Sequence, residues 1–164
     1  ERSSLLTKVK VVGSHNLEIE RKFMVNPTRW KNVTPERSAK ISQAYLSTNP
    51  DCTVRLRITD EQAFLTIKGK RKLGVNAEYE YPIPLAEAEE MIKMGQPPLI
   101  EKVRHYVTVE GKTWEVDEFK GRHAGLMIAE IELSHIDEYF VYPEWVLNEV
   151  TEDVHYTNAY LAQH

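Results

Sequence analysis

Glu18 and Glu20 stand two residues apart in the stretch "NLEIERKFMV", and Lys22 follows at the same interval. In a β-strand, successive side chains point to opposite faces. These three charges would therefore share one face, with Ile19 and Phe23 on the other. The spacing recurs along the chain, one sign of charge at a time. "TVRLRI" carries Arg55 and Arg57, "LTIKGK" carries Lys68 and Lys70, and "EKVRHYV" carries Lys102 and Arg104. "AEYEYPI" carries Glu78 and Glu80, "WEVDEF" carries Glu115 and Asp117, and "AEIEL" carries Glu130 and Glu132. Paired carboxylates offer hard oxygen ligands that suit Mg²⁺ or Mn²⁺. Paired Arg and Lys offer the donors that phosphate oxygens take. A polyphosphate with its divalent cation satisfies both sets.

A plainer reading of any single strand is a sheet with one dry and one wet face. For the set, segregation by sign argues against it, because a solubilising surface usually mixes signs. The scarcity of Ser, Thr and Gln on these faces argues the same way. If the faces point inward, like charges crowd. Two of them 4 Å apart repel by about 4 kcal/mol at an effective dielectric of about 20. Several such pairs exceed the roughly 5–15 kcal/mol that holds a domain folded. Water, counter-charges or a ligand must then neutralise the interior.

The elements that would position these residues follow from the same alternation. Strands are expected near 17–25, 39–47, 53–59, 63–70, 76–84, 101–110, 112–119 and 127–134. "VEGKTW" reads as a tight hairpin between the sixth and seventh. "PTRWKNV" reads as a short helix. "LAEAEEMIKM" reads as a longer one, with Leu85, Ala88, Met91 and Ile92 at helical spacing and Gly95 and Pro97 beyond it. A last helix is expected at 157–163. Eight strands with a few short helices predict a mainly β (α+β) fold, an eight-stranded antiparallel barrel or a strongly curved sheet. A barrel of eight strands has room for one small ligand.

The 164 residues suit one domain. A net charge of −4 argues against general nucleic-acid binding but leaves room for a local basic site. No apolar run reaches the roughly 20 residues of a membrane-spanning helix, and the first residues lack a secretory signal. The one cysteine, Cys52, excludes an internal disulfide and fits a reducing compartment, so the cytoplasm is the expected location. "GSHN" at 13–16 reads as a cloning remnant, so residues 1–15 are set apart as an arm or tag remnant and 16–164 as the domain. Lys70 and Lys72 read as a solvated turn. Trp30, Trp114 and Trp145 read as packing residues, and Glu115 faces outward if its strand is bulged. His105, His123 and His135 lack metal-ligand spacing.

From Leu17 to Ala162 the order of motifs resembles the triphosphate tunnel metalloenzymes, or CYTH superfamily, and in particular its short bacterial inorganic triphosphatases. "EIERKF" matches the signature, followed by "QAYLS", "VRLR", "TIKG", "EYEYPI", "EKVRHYV", "WEVDEF", "GLMIAEIEL" and "EVTEDVHYTN". The resemblance implies an eight-stranded antiparallel tunnel that hydrolyses a terminal phosphoanhydride with Mg²⁺ or Mn²⁺. Carried over, Glu18, Glu20, Glu130 and Glu132 would be the metal ligands. Glu78, Glu80 and Asp117 would hold a second metal or the attacking water. Arg55, Arg57, Lys68, Lys102 and Arg104 would clamp the triphosphate. Tyr45 would pair with Lys22, and the general base would be a carboxylate or Lys22. The chain departs from the pattern at Ala44, where Gly is usual, and at Asn76, where a basic residue is usual. It also departs at Val154 and His155, which replace a basic pair; His155 could keep part of that charge toward substrate. The expected partner is a small polyphosphate, with no nucleic acid and no membrane, and a homodimer is left open. Two other functions stay in view. One is turnover of an organic triphosphate such as ATP or thiamine triphosphate, by hydrolysis or cyclisation. The other is non-catalytic binding of polyphosphate or nucleotide.

Overall fold

Alternation along the chain builds nine strands in the computed structural model, which describes residues 16–164; the arm assigned to 1–15 lies outside the described residues. The strands are β1 (Leu17–Val25), β2 (Arg37–Asn49), β3 (Cys52–Thr59), β4 (Gln62–Gly69) and β5 (Val75–Ile83). They continue with β6 (Gln96–Val109), β7 (Lys112–Phe119), β8 (Met127–Glu132) and β9 (Val146–Glu149). Three short helices accompany them: α1 (Pro27–Trp30), α2 (Leu85–Met91) and α3 (Asn158–Gln163). Every strand pairing is antiparallel. The order β5-β4-β3-β2-β6-β7-β8-β1 returns to β5 through the β1–β5 pairing, so eight strands close into a barrel.

Strand β1 has a divided edge. Its first residues, Leu17–Ile19, pair with β5, and Phe23 and Val25 pair with β9. The ninth strand thus lies outside the ring. Sequence alternation did not predict it, because four residues with one half-buried and three exposed positions carry no period. The β6–β7 turn has Glu110 at φ 48° and Gly111 at φ 76°, the two positive values of a type I′ hairpin. Leu73 (φ 52°) and Gly74 (φ 77°) form the same kind of turn between Lys72 and Val75.

The larger apolar core lies outside the barrel wall. Phe23, Trp114, Val116, Ala129 and Ile131 project from the outer faces of β1, β7 and β8 and meet Phe140 and Trp145 of the long segment after β8. Edge-to-face contacts join Phe23, Trp114, Phe140 and Trp145, with ring centroids 5.6–6.2 Å apart. A second cluster, Tyr45, Ile100, Phe119 and Ile128, sits at one end and receives Leu161 and Ala162 of α3. The register makes Phe119 the cross-strand partner of Lys102, and Ile128 that of Asp117. This cluster is therefore an apolar floor on the inner side of the barrel. Among the described residues no helix is long and apolar enough to cross a membrane.

Candidate active site

Pleating turns Glu18, Glu20 and Lys22 inward and leaves Ile19, Arg21 and Phe23 on the outer face, where Phe23 joins the apolar core. Register then sets the inner neighbours. Glu20 lies opposite Glu132, Lys22 opposite Glu130, Lys68 opposite Glu78, and Glu115 opposite Glu130. The inward faces enclose a cavity of about 300 Å³ lined by seven glutamates (18, 20, 78, 80, 115, 130 and 132) and by Lys22, Arg55, Arg57, Lys68, Arg104 and Asn158. Eleven of the fifteen site residues expected from sequence line this space together. Lys22 among them is 5% exposed and Arg55 7%, so their charges meet protein groups more than bulk water.

Opposite charges interleave across the cavity. Lys68 Nζ lies 2.8 Å from Glu18 Oε1 and 3.4 Å from Glu78 Oε2. Lys22 Nζ stands 3.7 Å from both Glu20 and Glu130. Arg71 donates to Glu20 and lies 3.6 Å from Glu18. Arg55 donates to Thr66, whose hydroxyl donates to Glu80 at 3.2 Å. Arg57 donates to Gln43 Oε1 at 3.1 Å rather than to a carboxylate. Burial, then the nearby guanidinium groups of Arg55 and Arg104, push Arg57 down to about 10, and it stays protonated at neutral pH. Burial and the charge of Glu20 raise Glu18, with Lys68 opposing. Burial and Glu20 likewise raise Glu130. Burial works the same way on Glu20, but Lys22, Lys68 and Arg71 outweigh it and hold that carboxyl well below its ordinary range.

Four expected residues lie elsewhere, and Glu132 sits at the exposed end of β8, on the rim. Asp117 and Lys102 are almost fully buried as a pair at 2.7 Å, away from the surface of the cavity. Asp117 also accepts from Arg104 at 2.7 and 2.9 Å, and Lys102 also donates to Asn158 Oδ1 at 2.9 Å. Tyr45 packs into the apolar floor. His155 is exposed, 2.7 Å from Asp153 and stacked edge-on against Tyr160. Lys102 is drawn inward because a charge beside the floor needs a buried partner, and Asp117 is the carboxylate within reach.

Several contributors were not expected. Glu115 lines the cavity and pairs with Arg104; its spacing from Asp117 carried that signal. Gln43, Thr66 and Asn158 are uncharged and gave no pattern. Arg71 lies in the connection from β4 to β5, where alternation says nothing. A second space of about 370 Å³ adjoins the first through Lys22, Arg55, Lys68 and Asn158. It is bounded by Tyr45, Pro50, Arg71, Asn76, Val154 and Tyr160 among others.

This geometry suits neutralisation of a short polyanion inside a closed wall. The CYTH domain family matches residues 16–161. An inorganic triphosphatase of Acetivibrio thermocellus is 40% identical over 147 residues, spanning 89% of this chain and 93% of that protein. An inorganic triphosphatase of Nitrosomonas europaea is 34% identical over 151 residues, spanning 88% of this chain and 96% of that protein. The crystal structure of the inorganic triphosphatase NE1496 matches with a TM-score of 0.63 and 30% identity over 90% of this chain and 95% of that one. The closed eight-stranded barrel, its charged interior and these matches run over the same residues, and the chain belongs to the CYTH domain family.

Proposed function

We propose that this protein hydrolyses inorganic triphosphate to pyrophosphate and phosphate, using Mg²⁺ or Mn²⁺, in a reducing cytoplasm. The observation that carries the reading is the shared cavity, in which carboxylates and Lys/Arg side chains face one another. Two relatives named inorganic triphosphatase support the choice of substrate. The donor set fits a hard divalent cation: four carboxylates from β1 and β8, with Glu20 and Glu132 directly opposite. Among the described residues no three acidic or histidine side chains converge closely enough to hold an ion as they stand. Lys22, Lys68 and Arg71 are interposed between them. Loading the site therefore requires those cations to turn away.

Glu18, Glu20, Glu130 and Glu132 would hold the ion, which when bound supplies positive charge to the phosphate oxygens and to the attacking water. The rest falls to the chain's own groups. Arg57, which donates to the amide oxygen of Gln43, and Arg55 would take the oxygens of the phosphate chain. Lys68 and Lys22 become available once their carboxylates are otherwise neutralised. The water oxygen attacks the terminal phosphorus, the bond to the bridging oxygen breaks, and pyrophosphate leaves with the electron pair. Arg55, Arg57 and Lys68 spread that developing charge. The water's proton passes to Glu78 or Glu80 on the cavity wall. The Asp117–Arg104–Lys102 group holds Arg104 in place beneath the site.

A second reading, an organic triphosphate as substrate, draws on the adjoining cavity, whose wall includes Tyr45, Pro50, Val154 and Tyr160. The deciding experiment is phosphate release from inorganic triphosphate, ATP, thiamine triphosphate and pyrophosphate, each with Mg²⁺ and with Mn²⁺. Inorganic triphosphate is expected to be turned over fastest. Glu18→Gln and Glu130→Gln should each lower kcat by about 100-fold or more. Tight triphosphate binding with no phosphate released under any divalent ion would make the protein a binding module instead.

A further inference from the structure

We propose that Arg71 competes with the divalent cation for Glu18 and Glu20, and that on losing this competition it passes its guanidinium to a phosphate group in the adjoining cavity. The inference rests on the metal-dependent reading above. Arg71 follows β4 on the short crossing to β5, and the Lys72–Val75 turn beyond it is fixed by mutual backbone bonds of 2.8 and 3.0 Å. That turn is tied to the site strand, because the Glu20 backbone N–H donates to Gly74 O at 3.1 Å. The backbone beside Arg71 is thus anchored to β1, and its side chain is the part free to choose partners.

Two buried polar atoms lack the partners that a bound phosphate would supply. Arg71 Nη1 is buried with no hydrogen-bond partner, while Nη2 serves Glu20. Asn76 Oδ1 is also buried without a partner, and Arg71 and Asn76 both bound the adjoining cavity. A buried polar atom without a partner costs about 1–3 kcal/mol, so native folds keep few. A phosphate oxygen would accept from Arg71, and a protonated phosphate or a water bound with it would donate to Asn76. The same cavity already draws on Lys22, Arg55, Lys68 and Lys70. Its two acidic wall residues are Glu152 and Asp153, and Asp153 is taken by His155 at 2.7 Å. A guanidinium pushed off Glu20 by a doubly charged ion would join the cations of this cavity only when an anion is bound among them, and a phosphate group in that space supplies the partner.

The test is Mn²⁺ binding in the absence of any triphosphate, followed by electron paramagnetic resonance on the full chain and on Arg71→Gln, Arg71→Lys and Glu18→Gln. Removing the competing cation should tighten Mn²⁺ binding in Arg71→Gln by about tenfold, the scale of one charge-assisted hydrogen bond. Arg71→Lys, which keeps the charge, should stay within about threefold of the parent. With Mn²⁺ saturating, Arg71→Gln should raise the KM for triphosphate by about tenfold and leave kcat within about threefold. Unchanged or weaker Mn²⁺ binding in Arg71→Gln overturns the competition. An unchanged KM overturns the transfer to phosphate. If the parent binds Mn²⁺ and Glu18→Gln does not, the metal-dependent reading stands whatever Arg71 does. If Glu18→Gln binds as well as the parent, both readings fall.

Discussion

Asp117 has no exposed surface, yet it accepts from two cations, Lys102 on one oxygen and Arg104 on both. Burial favours its neutral form, but Arg104 and then Lys102 outweigh burial and hold the carboxyl far below its ordinary 3.8. Its folded value lies below its unfolded one. The stability it contributes is therefore complete above about pH 4 and is lost as pH falls below that. Asp117→Asn should cost about 3–5 kcal/mol, because it strands two buried cations, and should flatten the acid limb of a denaturation-versus-pH curve. The pair looks different from the lysine side. Burial, opposed by Asp117 and reinforced by Arg104 and Arg57, pushes Lys102 down to about 7. One carboxylate cannot fully serve two cations, and the two-pronged Arg104 holds the larger share. A base lowered in the folded state gives stability that grows as pH rises from about 7 toward its ordinary 10.5. Lys102→Met should therefore change stability by under about 1.5 kcal/mol at pH 7 and remove that alkaline gain, as read by urea melts at pH 6.5 and 9.

At the scale of elements, α3 holds the floor. Leu161 and Ala162 seal against Ile100, Phe119 and Ile128, while Asn158 reaches Lys102 and Gln43. Leu161→Ala should cost about 2–5 kcal/mol. At about 2–4 °C per kcal/mol for a chain of this size, the melting temperature should fall by roughly 4–20 °C. The turn after Arg71 is equally exacting. A Cβ on Gly74, at φ +77°, would sit 2.9 Å from Glu20 O and 3.2 Å from Thr151 Cγ2. Gly74→Ala should cost more than about 1 kcal/mol, and should lower phosphate release because the displaced backbone carries Glu20.

Eight of the nine strands were legible because each alternates long enough for the period of two to show, and that period also delivered the cavity's glutamates. Three things were not. The four residues of β9 are too few for a period. Phe140 and Trp145 sit in an irregular segment that acts through packing against Phe23 and Trp114. Arg71 works through the reach of a long side chain from the β4–β5 connection, and no spacing rule describes that. The expected clamp residue Lys102 shows a further limit: alternation fixes the face a side chain takes but not its depth along the barrel, and here depth pairs it with Asp117.

For the whole molecule, the balance of charge inside the barrel predicts an order of binding. Seven glutamates face five Lys and Arg residues in the main cavity, so a polyanion entering first meets net repulsion. A divalent cation alone should therefore stabilise the protein more than triphosphate alone. At an ion concentration near 100 Kd the gain is about 2.7 kcal/mol, or roughly 5–11 °C in thermal melts, and Glu18→Gln should abolish it. Chemistry and cohesion are drawn from opposite sides of the same strands: Glu18 and Glu20 look inward from β1 while Phe23 anchors its outer side. Point changes among the inner side chains can thus accumulate without loosening what keeps the chain folded, so a lineage can retune its anhydride chemistry residue by residue. Insertion of a single residue into β1 has the opposite fate, since it would turn carboxylates into the greasy seam and aromatic rings into the channel, ruining catalyst and scaffold in one step.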